Sequence, residues 1–181
     1  NLDMAGLASN QAGTSVALSS DGTVALVGAP AHSSSAGTAR AYKWNPATVK
    51  WDRLGANDAD MAGTLSNQFS GISVALSANG TVALLGARGY TSNQGTARAY
   101  RWNAVTVKWD RLGTNDVNMA GLSSDQAGSS VALSADGTVA LVGAPIYSSN
   151  IGTARAYTWN ATTVSWARLG INDADMAGTA N

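Results

Sequence analysis

One nine-residue segment occurs three times, and this repetition limits the possible folds more than any other feature of the sequence. GTARAYKWN at 37–45 returns as GTARAYRWN at 95–103 and as GTARAYTWN at 152–160. The tryptophans of these segments are 58 and 57 residues apart. A fixed period of this size is typical of solenoids, propellers and arrays. We therefore divide the chain into three units, 1–60, 61–118 and 119–181, of which the last includes the start of a further repeat.

The pattern within each unit predicts four β-strands. In the first unit, apolar and β-branched residues are concentrated at 14–19, 23–29, 38–44 and 48–54, as is typical of strands. Alanine is abundant but never stands at helical spacing, so we expect essentially no helix. Asp21-Gly22, between the first two strands, favours a type I′ hairpin turn with positive φ at both residues. The equivalent pairs in the other units are Asn79-Gly80 and Asp136-Gly137.

The second predicted strand is apolar on both faces. Val24 and Leu26 share one face, and Ala25 and Val27 share the other. Such a strand is expected where a sheet is covered on both sides. A four-stranded antiparallel sheet that needs a similar sheet on each face is a propeller blade. The predicted fold is therefore all-β, with three four-stranded antiparallel propeller blades of about 58 residues each.

Three motifs of the repeat resemble a known family. SVALSSDGTVALVGAP at 15–30, GTARAYKWN at 37–45 and WDRLGANDAD at 51–60 are similar to FG-GAP-type repeats, the blades of integrin-α-like propellers. They look closest to the versions found in surface proteins of algae and marine bacteria. The resemblance covers all three units, although VGAP becomes LGAR at 85–88 and the nearest match to Phe-Gly is Phe69-Ser70-Gly71. It implies an extracellular β-propeller without inherent catalysis.

Six tryptophans and three arginines are the main candidate functional side chains. Each unit has one tryptophan on the third predicted strand, one on the fourth, and an arginine on the third. Aromatic rings stack on sugars in lectins, but large aromatics at periodic positions favour packing between sheets. The arginines favour stacking on aromatic rings or pairing with an aspartate of the next blade. The predicted inter-blade residues are Trp44, Trp51, Trp102, Trp109, Trp159, Trp166, Arg40, Arg98 and Arg155.

The repeated acidic residues give little support for a metal site. Members of the family hold calcium in a loop resembling D-x-D-x-D-G, whereas the matching turns at Asp21, Asn79 and Asp136 have at most one carboxylate each. Calcium takes about six to eight oxygen ligands. Further acidic clusters favour Asx-type turns, with calcium binding as the alternative. They lie at 57–60, 115–118 and 172–175. We predict no metal and no cofactor.

The sequence also gives little support for catalysis. His32 is the only histidine, and the other units have Tyr90 and Tyr147 at or near its position. A lone loop histidine does not define a Ser-His-Asp triad. Glycosidase chemistry needs two carboxylates with separated pKa values, and the aspartates are explained more simply as turn formers. We therefore expect no enzymatic activity.

The charge balance and the sequons bear on partners and location. Eleven basic residues balance eleven acidic ones, so no basic surface is expected to bind nucleic acid. No apolar run approaches the roughly 18 residues that span a bilayer, so no membrane insertion is expected. Two N-x-S/T sequons, at Asn79 and Asn160, fall in predicted turns. These asparagines are candidate glycosylation sites of an extracellular or cell-surface protein.

The repeat finally predicts assembly. LDMAG at 2–6 and DADMAG at 173–178 are the same piece of the unit, and closed propellers have about four to eight blades. Because bare apolar faces need a partner, we expect the third blade to meet the first blade of a neighbouring chain or of further repeats. A fibre or surface array is preferred to a ring. The expected function is a non-enzymatic, self-assembling extracellular structural protein, and the alternative is a glycan-binding, lectin-like propeller.

Overall fold

The computed structural model describes residues 4, 6–55, 61–114, 119–170 and 176–178. The first unit contains β1 (Ser15–Leu18), β2 (Val24–Ala29), β3 (Thr38–Asn45) and β4 (Lys50–Leu54). The second contains β5 (Val74–Leu76), β6 (Val82–Ala87), β7 (Thr96–Asn103) and β8 (Lys108–Leu112). The third contains β9 (Ser130–Leu133), β10 (Val139–Ala144), β11 (Thr153–Asn160) and β12 (Ser165–Leu169). One-turn helical segments join the second and third strands of the units: α1 (His32–Ser35), α2 (Tyr90–Asn93) and α3 (Tyr147–Asn150).

Each unit forms one antiparallel sheet in which the strand order follows the sequence. The predicted all-β architecture of three four-stranded blades is therefore confirmed. The predicted strand ends differ by small amounts. The fourth strand begins at Lys50 rather than at residue 48, because Val49 has a φ of 53° and belongs to the turn. The predicted unit boundaries adjoin 56–60 and 115–118, which lie outside the described residues.

The blades stack face to face through two apolar clusters. We call the face that packs on the next blade the forward face, and the face that packs on the preceding blade the rear face. The first cluster joins Leu26, Ala39 and Ala41 on the forward face of the first blade to Ala83 and Leu85 on the rear face of the second. The second cluster joins the equivalent faces of the second and third blades. Strand alternation therefore gives every blade two packing faces.

Burial of the second strand shows where this stacking stops. β2 and β6 are buried along their whole length, as their two-sided apolar pattern predicts. In β10, by contrast, Ala140 and Val142 on the rear face are buried, whereas Val139 and Leu141 on the forward face are 37% and 38% exposed. Within the described part of the chain, no blade covers the forward face of the third blade.

The hairpin turn between the first and second strands of a blade differs from the type I′ turn that the Asp-Gly pair predicts. Gly22 has a φ of 69°, but Asp21 does not have a positive φ. The Gly22 N–H donates to the Ser19 carbonyl at 3.0 Å. Asp21 instead accepts hydrogen bonds from Ser19 Oγ at 2.6 Å and from the Thr23 N–H at 2.9 Å. The aspartate therefore stabilises the turn through its side chain and not through a left-handed backbone.

The one-turn segments are a second feature that the sequence pattern does not predict. Ser33 (φ 50°, ψ 67°) and Ser34 (φ 55°, ψ 40°) have left-handed backbone angles, and the same two positions do so in α2 and α3. This conformation costs a non-glycine residue roughly 1–2 kcal/mol. The next blade holds the segment in place, since the Phe69 N–H donates to the Ser35 carbonyl at 2.9 Å and the Ser70 N–H donates to the Ala36 carbonyl at 3.0 Å.

Candidate functional site

The two tryptophans of each blade form a pair across the third and fourth strands. Trp44 lies opposite Trp51 in the strand register, and the equivalent pairs are formed in the other blades. Their ring centres are 5.6–5.7 Å apart, and the ring planes are inclined by 54–59°. Tilted aromatic pairs at this separation are favourable. Each pair lies on the rear face of its blade.

The fourth-strand tryptophans are the ones that bind the preceding blade. Trp109 and Trp166 are only 3% and 4% exposed. Trp109 Nε1 donates to the Leu54 carbonyl at 2.9 Å, and Trp166 Nε1 donates to the Leu112 carbonyl at 3.3 Å. The third-strand tryptophans Trp102 and Trp159 are half-buried against the same clusters.

In the first blade, Trp44 and Trp51 are both half-buried. Trp51 occupies the position of Trp109 and Trp166, yet the described residues include no blade before it. The comparison shows that burial of this side chain depends on contact with a preceding blade.

The second-blade arginine is buried beside a neutral partner. Arg98 is 1% exposed, and its Nη2 donates to Gln68 Oε1 at 3.1 Å. Its guanidinium carbon lies 5.5 Å from the ring centre of Tyr90. The predicted stacking of the guanidinium on an aromatic ring is therefore observed with the tyrosine of the helical segment.

The third-blade arginine forms an ion pair at the equivalent place. Arg155 Nη2 lies 2.7 Å from Asp125 Oδ2, with side chains 4% and 5% exposed, and its guanidinium carbon lies 5.2 Å from the Tyr147 ring centre. Asp125 belongs to the same unit as Arg155, so this pair lies within one unit; the predicted pairing with an aspartate of the next blade stays a prediction. The Ile146 N–H donates to the Asp125 carbonyl at 3.3 Å, which holds the two loops together at one end of the blade. Arg40, in the first blade, is 8% exposed.

The turn aspartates have their carboxylates bound within their own turns. Hydrogen bonds from Ser134 Oγ, and then from the Thr138 N–H and hydroxyl, lower the pKa of Asp136 to about 2. The pKa of Asp21 is lowered by the same contacts, first of all by Ser19 Oγ. Asn79 Oδ1 accepts the equivalent bonds in the second blade. The turn therefore needs a side-chain acceptor, which an aspartate or an asparagine supplies.

The other candidate residues for chemistry do not converge in the described structure. Among the residues that the structure describes, no group of three or more His, Cys, Asp or Glu side chains is placed to hold a metal ion. The acidic clusters at 57–60, 115–118 and 172–175 lie outside the described residues. His32 opens α1, at the position that Tyr90 and Tyr147 occupy in α2 and α3. No described helix has the length and apolar character of a membrane span.

The two sequon asparagines lie on exposed turns, but their contacts differ. Asn79 Oδ1 is bound by Ser77 and Thr81 within its turn. Asn160 Oδ1 accepts from the Thr162 N–H at 2.9 Å. In the first two blades the equivalent asparagine also donates its amide to an aspartate, at 2.6 and 2.7 Å, and Ala167 stands at that aspartate position in the third blade. The side-chain nitrogen of Asn160 therefore lacks this carboxylate partner.

The second blade has a cleft that departs from the repeat. It has a volume of about 390 Å³ and lies between the loop that precedes β5 and the α2 segment. Phe69 lines it, with the Arg88 guanidinium carbon 5.5 Å from the ring centre. Asn67 and Asn93 supply amide groups to the same cleft. A half-buried ring beside amides is a surface suited to a neutral polar ligand.

The uncovered blade faces are the largest departure from the internal packing. On the forward face, Leu26 and Leu84 are fully buried, whereas Leu141 at the equivalent position is 38% exposed. On the rear face, Val16 and Leu18 of the first blade are 67% and 60% exposed. Their equivalents in β5 and β9 are half-buried against the preceding blade. Leu141 on one outer face and Val16 and Leu18 on the other are thus more exposed than their equivalents on the inner faces, whereas Ala25 and Val27 on the rear face of the first blade are buried.

Stacked, twisted four-stranded sheets of this kind define the chain as a β-propeller protein. No protein-family model matches it, and no curated protein matches it significantly. Among solved structures it is similar to the periplasmic gluconolactonase PpgL of Pseudomonas aeruginosa, with a TM-score of 0.54, 10% identity, and coverage of 91% of this chain and 46% of the other.

Two further structures show the same architecture. One is a protein from Bacteroides fragilis provisionally described as a 6-phosphogluconolactonase, with a TM-score of 0.57, 14% identity, and coverage of 87% of this chain and 39% of that one. The other is Sqt1 of Saccharomyces cerevisiae, with a TM-score of 0.55, 10% identity, and coverage of 92% and 36%. The chain spans less than half the length of each. At these identities the likeness shows the propeller fold alone.

Proposed function

We propose that this chain is a non-enzymatic extracellular structural module that self-assembles through the faces of its outer blades. The observation that carries the proposal is the contrast at one repeated position, where Leu26 and Leu84 are fully buried and Leu141 is 38% exposed. The same side chain on the same strand serves as core in two blades and as surface in the third. Covering the open faces removes apolar area from water at about 25 cal/mol per Å².

The chain itself shows that the two kinds of face fit each other. Forward and rear faces meet twice within the described residues, each time through an apolar cluster and a tryptophan Nε1–H donated across the contact. Contiguous exposed apolar surface on a soluble protein commonly marks an interaction site. A surface layer, fibre or adhesive array built from such modules is therefore the proposed setting, with a fibre or array preferred to a closed ring.

Light scattering coupled to size-exclusion chromatography tests the proposal. The 181-residue chain has a mass of 18.3 kDa, and we expect multiples of this mass at micromolar concentration. Negative-stain images of the same sample distinguish rings from fibres. A folded chain that stays monomeric at this concentration would contradict self-assembly.

The non-enzymatic part of the proposal rests on the roles of the side chains that occur in all three blades. The side chains present in all three blades form turns or pack between sheets, as the turn serines Ser19, Ser77 and Ser134 and the fourth-strand tryptophans do. Because one structural neighbour is a gluconolactonase, hydrolysis of a gluconolactone is the relevant assay. Turnover above the rate in buffer would overturn this part of the proposal and leave self-assembly untouched.

A glycan-binding propeller is the second candidate, and the cleft beside Phe69 is the observation that favours it. An aromatic ring and neutral amides are the groups that bind sugars through stacking and hydrogen bonding. A glycan array followed by calorimetry on Phe69→Ala tests this candidate. Binding that is lost in this variant supports it. Binding that is unchanged places the glycan elsewhere, and an array without binding rejects the candidate.

A further inference from the structure

We propose that copies of this chain join head to tail, with the forward face of the third blade of one copy packing on the rear face of the first blade of the next. The register is the one that the two internal blade contacts already use. This inference rests on the proposed function, because it specifies the surface through which the chain assembles. We choose a second copy as the binding partner because its first blade has the same repeat sequence on its rear face as the second and third blades. Those two rear faces cover the forward faces of the first and second blades.

Backbone and side-chain hydrogen bonds recur at both internal contacts and define the joint. Ser15 Oγ donates to the Gly71 carbonyl, and Ser73 Oγ donates to the Gly128 carbonyl, each at 2.8 Å. Ser130 is the equivalent serine on the third blade, and Gly13 is the equivalent glycine that precedes the first blade. In the joint, Ser130 Oγ therefore donates to the carbonyl of Gly13 in the second copy.

The same equivalence places a tryptophan in the joint. Trp109 and Trp166 each donate to a leucine carbonyl at the end of the preceding blade. The corresponding pair across the joint is Trp51 of the second copy and the carbonyl of Leu169. Leu169 is 45% exposed in the single chain, and Trp51 is half-buried, so both are accessible for this contact.

The hairpin glycines show how closely the faces approach. A Cβ at Gly80 would lie 2.8 Å from Val24 Cβ, and a Cβ at Gly137 would lie 2.8 Å from Val82 Cβ. A Cβ at Gly22 would meet nothing within 4 Å. Gly22 of the second copy fits on Val139, the equivalent of Val24 and Val82, which is 37% exposed. One contact in the joint therefore accounts both for the open space beside Gly22 and for the exposure of Val139 in the single chain.

Charge favours the forward face of the third blade as a docking surface. The outer strands of the first blade carry Lys43 and Asp52 opposite each other on the forward face, and the second blade has the equivalent pair. In the third blade these positions are Thr158 and Ala167. No charged residue stands at the described forward-face positions of β9–β12. On the forward-face side of the joint, docking therefore desolvates no charged side chain.

The segment that connects successive blades is already seated on the third blade. The Gly178 N–H donates to the Gly152 carbonyl at 3.0 Å, as Gly63 does to Gly37 at 2.8 Å and Gly121 does to Gly95 at 3.0 Å. The position beside Gly152 is therefore already occupied, and the equivalent segment of the second copy, which contains Gly6, does not have to bind there. The second copy supplies its sheet face and the loop that enters it.

Two variants with opposite faces blocked test the direction of the joint. Leu141→Arg blocks the forward face, and the double variant Val16→Asp/Leu18→Asp blocks the rear face. All three residues are at least 38% exposed in the single chain, so folding should be retained, as circular dichroism can verify. Val105→Asp is the matched control, because Val105 is 93% exposed in a turn away from both faces. Leu169→Arg is a second forward-face variant that can be used if Leu141→Arg misfolds.

We expect each blocked variant to be monomeric alone, and the control to assemble like the unmodified chain. An equimolar mixture of the two blocked variants should form a 1:1 complex, because the open forward face of one variant matches the open rear face of the other. The complex should grow no further, since its two remaining faces are both blocked. Native mass spectrometry identifies this complex by the mass difference between the variants. If the unmodified chain is monomeric, the proposed function fails with this inference. If the unmodified chain assembles but a blocked variant still self-associates, or the mixture forms no complex, only the head-to-tail joint is wrong.

Discussion

The clearest quantitative prediction compares two tryptophans that occupy the same place in successive blades. Trp109→Ala removes a side chain that is 3% exposed, together with its hydrogen bond to the Leu54 carbonyl. Trp51→Ala removes the equivalent side chain, which is half-buried, from the rear face of the first blade. The chain thus provides its own matched control, with residue type, strand and ring partner held constant.

The magnitude follows from burial between the blades. A tryptophan buries roughly 150–250 Å², which corresponds to about 4–6 kcal/mol at about 25 cal/mol per Å². The alanine that replaces it keeps a small part of this, and the compactness of the unfolded chain lowers it further. The lost hydrogen bond adds about 1 kcal/mol. We therefore expect Trp109→Ala to lower the free energy of unfolding by about 3–5 kcal/mol, as large core truncations do, and Trp51→Ala to lower it by less than half as much.

Urea unfolding followed by far-ultraviolet circular dichroism measures the loss of unfolding free energy in both variants without depending on tryptophan emission. The comparison is made at protein concentrations too low for association, where Trp51 has no blade against it. At higher concentrations the cost of Trp51→Ala should rise toward that of Trp109→Ala. Equal costs under dilute conditions would refute the argument that contact with the preceding blade is the source of the stabilisation.

Three further predictions concern residues with matched counterparts in another blade. Asp125→Ala removes the carboxylate beside the buried Arg155 guanidinium and should lower the free energy of unfolding by about 3–5 kcal/mol. Asp125→Gln copies the Gln68–Arg98 contact and should lower it clearly less in the same urea assay. The pKa of Asp136 is lowered from 3.8 to about 2 in the folded chain. The ionised carboxylate therefore contributes its full stabilisation above about pH 4, and this stabilisation is lost as the pH falls toward 2. In Asp136→Asn, which copies Asn79, the urea midpoint should fall less over this range. Gly80→Ala and Gly22→Ala both place a Cβ at φ near 70°, at a cost of roughly 1–2 kcal/mol. Only Gly80→Ala also brings it to 2.8 Å from Val24, so its melting temperature should be the lower of the two.

Much of the fold follows from the sequence, because strand alternation and repetition are both local signals. Two-sided apolar strands such as β2 predict stacked sheets, and the repeat fixes their number. The sequence likewise predicts a glycine with positive φ in the hairpin turn, and Gly22 has a φ of 69°. The actual role of Asp21 is not visible in the sequence, since an Asp-Gly pair is compatible with a type I′ turn and with a side-chain-stabilised turn, and only the contacts of Ser19 and Thr23 distinguish them.

The parts that sequence reasoning misses depend on contacts between distant residues. No glycine or asparagine marks Ser33 and Ser34 as left-handed, because the next blade stabilises that conformation. The third-strand and fourth-strand tryptophans have the same sequence signal, yet Trp109 is buried and Trp102 is half-buried. The ion pair of Asp125 with Arg155 is also not visible in the sequence, because loop contacts within one unit leave no periodic pattern.

These left-handed segments connect assembly to a measurable property of single amides. The next blade satisfies the carbonyls at the C-terminal end of α1 through Phe69 and Ser70, and those at the C-terminal end of α2 through Gln126 and Ala127, at 2.9–3.1 Å. The equivalent donors in the first blade are Gln11 and Ala12, and among the described residues they have no acceptor of this kind.

The head-to-tail joint supplies that acceptor, since it brings Gln11 and Ala12 of one copy to the carbonyls at the C-terminal end of α3 in another. We therefore expect hydrogen exchange at the Gln11 and Ala12 amides to slow when the chain assembles. The Phe69 and Ser70 amides serve as internal references, because their acceptors are present in the single chain. Exchange at Gln11 and Ala12 that stays fast in the assembled sample would show that the copies meet in another register.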